Sequence, residues 1–399
     1  METAVKQKDG VDAQIAVAGH ICLDIYIDVG RMPLETLSKG LQPGQLVKIG
    51  GARVATGGAV SNTGLSLKRL GLDVALISRV GDDMFGQTVA MVVEQFGKGI
   101  SRDLRPIEGE PTSYSLVINP AERDRSFLHC PGVNDTFLSR DVDFDELPSL
   151  RLLHFGYPPL MRTMWINNGA ELVDLFGRAR RRGVTTSLDM AWPDPASEAG
   201  KADWKAILAA VGPLTDVFLP SIEEALYMVD PATYAKFSSG ALAVDAQLLD
   251  WLSGELLGIG AAVVGVKLGA DGMYIRTTDD EKRLNAMGAC RPGDVANWRG
   301  RRLVSPCFDI KVANTTGAGD STIAGFLAAM VKGLPIEAAA NAACATGACN
   351  CQGAHAVHSV PSWDELQRRL GEGWGRRPVS ISLPGWRPDG ATGLIVPAK

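Results

Sequence analysis

The stretch Asn314-Thr315-Thr316-Gly317-Ala318-Gly319-Asp320, followed by Ser321-Thr322-Ile323-Ala324-Gly325-Phe326-Leu327, decides how this chain is read. Two glycines and an alanine keep bulky side chains away from the backbone just before a run that reads as a buried helix. A helix start exposes unpaired N–H groups and the positive end of the macrodipole, so it can hold phosphate oxygens. Asp320 sits at the same turn, close enough to act on whatever the phosphate meets. An anion cradle joined to a carboxylate is what phosphoryl transfer to a hydroxyl requires.

At 399 residues the chain can bury one large α/β core or two ordinary domains. Hydrophobic residues make up 46% and charged ones 21%, the balance of a globular protein and not of a disordered one. A net charge of -5 gives no basic footprint for nucleic acid or an anionic membrane. No apolar run reaches the roughly 18–20 residues that cross a bilayer. Residues 1–13 read as a short flexible lead, because Met1 to Gly10 is polar and lacks the apolar core of a signal peptide. Seven cysteines without regular spacing fit a reducing cytoplasm better than a disulfide framework. Cys349, Cys351, His355 and His358 lie close together, but their spacing is not that of a zinc finger. Small packed thiols on an Ala-rich helix are the expected reading.

Outward from the opening stretch, strands and helices alternate. Residues 14–18 read as a buried first strand and 60–70 as a helix ending at Gly71; Val74–Ile77 is a strand and Met84–Phe96 a helix. Further strands fall at Leu152–Phe155, Thr185–Asp189, Val217–Leu219 and Ala261–Lys267, with helices at Gly169–Arg182, Ser321–Lys332 and Ile336–Cys349. Such alternation predicts an α/β fold with a mainly parallel sheet covered on both faces. Residues 24–54 and 111–130 break the rhythm and read as short strands of a β flap, or lid, outside the main sheet. Residues 281–306 and 371–399, rich in Arg, Gly, Pro and Trp, read as loop or extension. One large domain with a lid, spanning 14–370, is expected.

Neither a P-loop nor the protein-kinase motifs occur, so the phosphate cradle must be the Gly317–Asp320 turn itself. A second segment, Gly57-Gly58-Ala59-Val60-Ser61-Asn62, joins close backbone approach to a side chain that both donates and accepts, which suits a sugar hydroxyl. Asp24, just after the first strand, can accept hydrogen bonds from two neighbouring hydroxyls.

Together these segments resemble the ribokinase-like (PfkB) carbohydrate kinase family over about Ile15 to Leu370. The N-terminal signature is similar to Gly57–Gly86 with its Arg79-Val80-Gly81-Asp82-Asp83-Met84-Phe85-Gly86 ending, and the C-terminal one to Asn314–Phe326. Pro220–Ala225, Val266–Gly272 and Pro361–Leu366 echo further family segments. The resemblance implies a three-layer α/β/α fold, ATP and Mg2+ as nucleotide and metal, and a sugar or nucleoside acceptor. By that resemblance Asp320 is the general base and Gly317, Ala318 and Gly319 form the anion hole. Asp24, Gly57, Gly58 and Asn62 are sugar contacts. Lys267, Gly269 and Gly272 lie on the nucleotide loop, and Asn341 lies beside the adenine. Glu224 is tied to magnesium through an N-x-x-E motif, and the lid closes over the sugar, in some relatives pairing into a homodimer.

Two residues depart from the family pattern. Ser221 stands where N-x-x-E has Asn, which shortens one contact toward the nucleotide and metal. Asn314 stands where Asp is common, which keeps an oxygen ligand for a monovalent cation such as K+ but loses its charge. Two alternatives compete with a sugar kinase. A nucleoside acceptor would need stacking surface from Tyr26, Tyr114, Phe127 or Tyr157. A binding protein without catalysis is motivated by Ser221 and Asn314, while retention of Asp320 argues against it. His129, Asn134, Tyr157, Asp189 and Trp192 are further acceptor-pocket candidates, Arg125 is a candidate phosphate reader, and His20 and His154 read as packed near strand ends.

Overall fold

The computed structural model describes residues 13–30, 32–40, 42–118 and 126–398. Residues 1–12 and Arg125 therefore lie outside the described residues, as does the middle of the second lid segment. The first seven strands are β1 (Ile15–Gly19), β2 (Cys22–Ile27), β3 (Ala52–Gly57), β4 (Val74–Gly81), β5 (Leu104–Ile107), β6 (Tyr114–Ile118) and β7 (Ser126–Cys130). They are followed by β8 (Leu152–Gly156), β9 (Thr185–Leu188), β10 (Val217–Phe218), β11 (Val263–Lys267), β12 (Met273–Thr277), β13 (Arg302–Ser305), β14 (Trp386–Pro388) and β15 (Ile395–Pro397).

Eleven of these form one sheet in the order β14-β15-β13-β12-β11-β10-β9-β8-β1-β4-β5. From β5 through β11 every pairing is parallel, and from β11 to β14 every pairing is antiparallel. Parallel strands covered on both faces need apolar side chains in both directions. β1 meets this need: Ile15 and Val17 enter the core on one face, Ala16 and Ala18 the core on the other. Helices Ala59–Arg69, Ala318–Val331 and Ile336–Cys351 cover the first face with Leu65, Phe326 and Ile336. Ala170–Arg181 and Ala246–Gly258 cover the second with Phe176 and Leu252. This is the three-layer α/β/α arrangement expected.

The helix bearing Asp320 is apolar nearly all round, so it must be enclosed. Its neighbour Ile336–Cys351 comes close enough that a Cβ at Gly325 would lie 2.3 Å from Ala342 O, and one at Gly347 2.3 Å from Thr322 Oγ1. Small residues on both helices thus fix where the Asp320 helix begins. It begins at Ala318, three residues before the expected Ser321, which puts Gly319 and Asp320 within its first turn.

The lid is a four-stranded sheet, β3-β2-β6-β7, drawn from the two segments expected. In contrast, 281–306 and 371–399 are more than loop or extension. β13 lies in the main sheet, and β15 pairs with it and carries β14 at the sheet's edge. Trp298 is buried against Phe326, with ring centroids 6.0 Å apart.

Candidate active site

At the start of the Asp320 helix, Gly317 takes a left-handed φ of 71°, and a Cβ there would press on Ala356 at 3.3 Å. Conformation and space both select glycine. The Ala318 N–H is already used, bonding Thr315 O at 3.1 Å, and the Ser321 N–H bonds Gly317 O at 2.9 Å. Between them the N–H groups of Gly319 and Asp320 have no backbone acceptor among the described residues. The expected anion hole is therefore revised at one position: the Ala318 amide is spent, and the Gly319 and Asp320 amides are left over. Asn350 secures the turn from beneath, its Nδ2 donating to Thr316 O at 2.8 Å and its Oδ1 accepting from Val357 N at 2.6 Å. Nothing near Asn350 in sequence signals this role.

Asp320 is 4% exposed and surrounded by donors. Asn62 Nδ2 reaches Oδ2 at 3.0 Å, Thr63 Oγ1 reaches Oδ1 at 3.3 Å, and the Tyr157 hydroxyl stands 2.9 Å from both oxygens. Burial, reinforced by Asp320 and Asp189, pushes the Tyr157 phenol far above its ordinary pKa, so it remains a donor. Asn62 thus sits inside the helix that follows Gly58 and orients the Asp320 carboxylate, while its Oδ1 is buried without a partner. That free acceptor is what an incoming hydroxyl could bond.

Asp24 is 8% exposed and lies against β3. A Cβ on Gly57 would fall 2.4 Å from Asp24 Oδ2, and one on Gly58, whose φ is 87°, 2.5 Å from both His20 Nδ1 and His20 O. The glycine pair therefore makes room first for the protein's own Asp24 and His20. His20 Nε2 lies 3.4 Å from His129 Nε2, and His129 Nδ1 lies 3.0 Å from Ser115 Oγ on β6. Burial and then the neighbouring His129 lower the His20 pKa to about 3, so it is neutral, and its Nδ1 has no partner.

On the other side of the Asp320 helix start, Lys267 at the end of β11 pairs with Asp189 at 2.7 Å. Its ammonium would be 3.7 Å from a Cβ on Gly319, so the cation adjoins the free amides. Burial works against the Lys267 charge, but Asp189, Glu224 and Asp320 outweigh it and hold the group above its ordinary pKa. Burial pushes Asp189 up to about 8 in spite of Lys267, and its Oδ2 has no partner. Burial also raises Glu224, with Lys267 opposing.

Lys267, Gly269, Gly272, Ala318 and Gly319 together line a cavity of about 340 Å3. Cys344 and Cys351 of the neighbouring helix and Phe308, Ile310 and Val312 form its apolar wall. Arg377, from the C-terminal segment, reaches its edge. Among the described residues no three His, Cys, Asp or Glu side chains converge as a metal cage. Magnesium in phosphoryl-transfer sites is held by one or two carboxylates together with phosphate oxygens, which the open Asp189 Oδ2 beside Glu224 would suit.

Other expected residues stand elsewhere. Asn341 does not line the cavity: its Nδ2 donates to Thr392 O at 2.9 Å and its Oδ1 accepts from Arg376 at 2.6 Å. The C-terminal segment has claimed it. Ser221 does not reach out through solvent but caps the helix Ile222–Val229 in a reciprocal pair, Glu224 N to Ser221 Oγ at 3.2 Å and Ser221 N to Glu224 Oε2 at 2.7 Å. Asn314 Oδ1 accepts from Thr316 N at 3.0 Å and from its hydroxyl at 2.9 Å, while Nδ2 donates to Ala354 O at 3.2 Å. Asn134 serves the backbone of Ile21, and Trp192 stacks between Tyr227 and Tyr234. Of the four aromatic residues weighed for stacking, Tyr26 lies under Arg53, Tyr114 meets Phe85, Phe127 is 55% exposed, and Tyr157 holds Asp320. Cys349 and His355 also part company, bonding Arg369 and Arg53 respectively.

Known proteins resemble this chain in sequence and in fold. The chain is 28% identical over 276 residues to an uncharacterized sugar kinase of Archaeoglobus fulgidus, covering 68% of this chain and 89% of the relative. It is 25% identical over 356 residues to the 2-dehydro-3-deoxygluconokinase of Bacillus subtilis, covering 84% and 88%. In fold it matches the Arabidopsis thaliana ribokinase solved with ribose and ATP, with a TM-score of 0.67 at 17% identity over 90% of this chain and 98% of that one. The sequence pattern of the pfkB family carbohydrate kinases matches residues 12–363. On that match the chain belongs to the pfkB family of carbohydrate kinases.

Proposed function

We propose that the chain is an ATP-dependent kinase that phosphorylates a hydroxymethyl group of a sugar or sugar-like acceptor, with Asp320 as general base. One observation carries this reading: beside the Lys267 ammonium, the first turn of one helix offers free amides to the 340 Å3 cavity and, from the same turn, a buried carboxylate to the acceptor residues. The nucleotide lies in the cavity with its terminal phosphate against the Gly319 and Asp320 amides. Asp189 and Glu224 would hold magnesium, which when bound offsets phosphate charge. Asp24 and the open Asn62 Oδ1 orient the acceptor, and Asp320 takes the hydroxyl proton as the oxygen attacks the γ-phosphorus.

The names of the relatives, among them a nucleoside kinase of Methanocaldococcus jannaschii 23% identical over 90% of this chain, keep a nucleoside acceptor as a second reading. The ring cluster of His20, His129 and Tyr157, with centroids 5.2 and 6.1 Å apart, is the surface that would receive a base. Asn314 keeps an oxygen but no charge for a monovalent cation, and its amide ties its loop to the Ala354 carbonyl, so any dependence on potassium is read by comparing the two salts. A panel of sugars, sugar acids and nucleosides with Mg-ATP, followed by ADP release with sodium or potassium, tests all three statements. Failure of every acceptor, with binding of one, would leave a binding protein.

A further inference from the structure

Tyr157 is the first residue after β8 and, among the described residues, one of four non-glycine residues with positive φ, at 67°, followed directly by Pro158. For a bulky side chain that conformation costs about 1–2 kcal/mol. It is held at the spot where the phenol meets the base, and no other hydrogen bond of the phenol is present among the described residues. A hydroxyl 2.9 Å from both oxygens of Asp320 is the interaction that an acceptor alcohol must make before it loses its proton. Asn62 and Thr63 take further directions around the carboxylate. With three donors already on a carboxylate that offers about four acceptor directions, the shared Tyr157 bond is the one that spans both oxygens and the one an approaching acceptor competes with.

We propose that the Tyr157 hydroxyl is a built-in stand-in for the acceptor: it occupies the general base until substrate displaces it, and so keeps water from being phosphorylated in the acceptor's absence. The inference rests on Asp320 being the base. In the productive step the acceptor O–H proton passes to Asp320, the acceptor oxygen bonds the γ-phosphorus, and the bond from that phosphorus to the β,γ-bridging oxygen breaks to release ADP. In the wasteful step water would replace the acceptor and yield inorganic phosphate. Tyr157 keeps its own proton in both and acts by position. It is a positioning residue, and its loss has two signatures that a structural role alone would not give. Water gains access to the base, and the acceptor no longer has a hydroxyl to displace.

The test compares wild type, Tyr157→Phe and Asp320→Asn as full-length protein with Mg-ATP. Tyr157→Phe is expected to raise acceptor-free ATP hydrolysis by about tenfold or more, and to lower acceptor KM by about tenfold with kcat for transfer changed less, as removal of one competing hydrogen bond to a charged group implies. Hydrolysis and acceptor KM both equal to wild type, with Asp320→Asn inactive, would overturn the inference and leave the base assignment standing. Transfer that survives Asp320→Asn would overturn the base assignment itself. Should the Phe variant melt far below wild type, Tyr157→Gly, which suits the left-handed backbone there, gives the same two readouts.

Discussion

The two sides of the Asp320 helix start, which the proposed function assigns to nucleotide and acceptor, are built differently. The nucleotide side is a preformed cavity of about 340 Å3 with an apolar wall and one cation, Lys267, whose charge Asp189 shares. The acceptor side is crowded by its own side chains: Asp24 and His20 press on the two glycines, and Asn62 and Tyr157 both bond Asp320. Buried polar atoms without partners occur on both sides, at His20 Nδ1 and Asn62 Oδ1 on this one and at Asp189 Oδ2 beside Lys267 on the other. Unpartnered polar groups are costly, and a ligand that supplies the missing bonds recovers the cost. Both sides thus have bonds to gain from a ligand, but only the first already has an open cavity to receive one.

The largest effect expected is at the point shared by both sides. Asp320→Asn should lower turnover by about 10²–10⁴-fold, the range of a general base, while ATP affinity measured by calorimetry stays within about threefold of wild type. An equal loss of ATP binding would erase the distinction between the sides. Gly57→Ala should act on the acceptor side alone, since its Cβ would strike Asp24 Oδ2; overpacking of about 1–3 kcal/mol predicts about a tenfold or greater rise in acceptor KM with little change in KM for ATP.

Acid should also destabilise the protein through the acceptor side. His20 and His154 have folded pKa values of about 3, through burial first and then His129 or Lys267, against 6.5 unfolded. Below pH 6.5 the unfolded chain binds protons that the folded one refuses, so the stability these groups contribute is present above 6.5 and is lost as pH falls toward 3. Each can cost up to about 1.4 kcal/mol per pH unit. The melting temperature should drop between pH 6.5 and 5, and His154→Gln should flatten that drop. Smallest is Arg377→Ala at the cavity's edge, where an exposed cation meeting phosphate is worth at most about 1 kcal/mol, so ATP should weaken by no more than about fivefold.

Much of this was legible in the sequence. The Gly317–Asp320 turn, the Gly57–Asn62 segment and the lid strands announce themselves because small residues and period-two patterns are local signals. Tyr157 meets Asp320 across 163 residues of chain, and no local pattern encodes that meeting. The family resemblance puts Asn341 beside the adenine, yet the side chain turns to partners in a segment whose sequence looks structureless. β14 and β15 escaped notice because each spans three residues, includes a proline and sits at the sheet's antiparallel edge, where pattern is weakest. Ser221 departs from the family motif but keeps a capping role that its residue type predicts.

The lid's strands leave and rejoin the main body at four places: residues 20–21 after β1, Gly58 after β3, residues 108–113 before β6 and Pro131 after β7. Two separate excursions of the chain are joined by the parallel pairing of β2 with β6 and by the contact of His20 with His129. Any swing of the lid must pivot at those four crossings, and the first two carry His20 and the Gly57–Gly58 pair. Opening the lid and dismantling the acceptor half are consequently one motion, and a lid transplanted from a relative would exchange the substrate contacts and the mechanics of closure together.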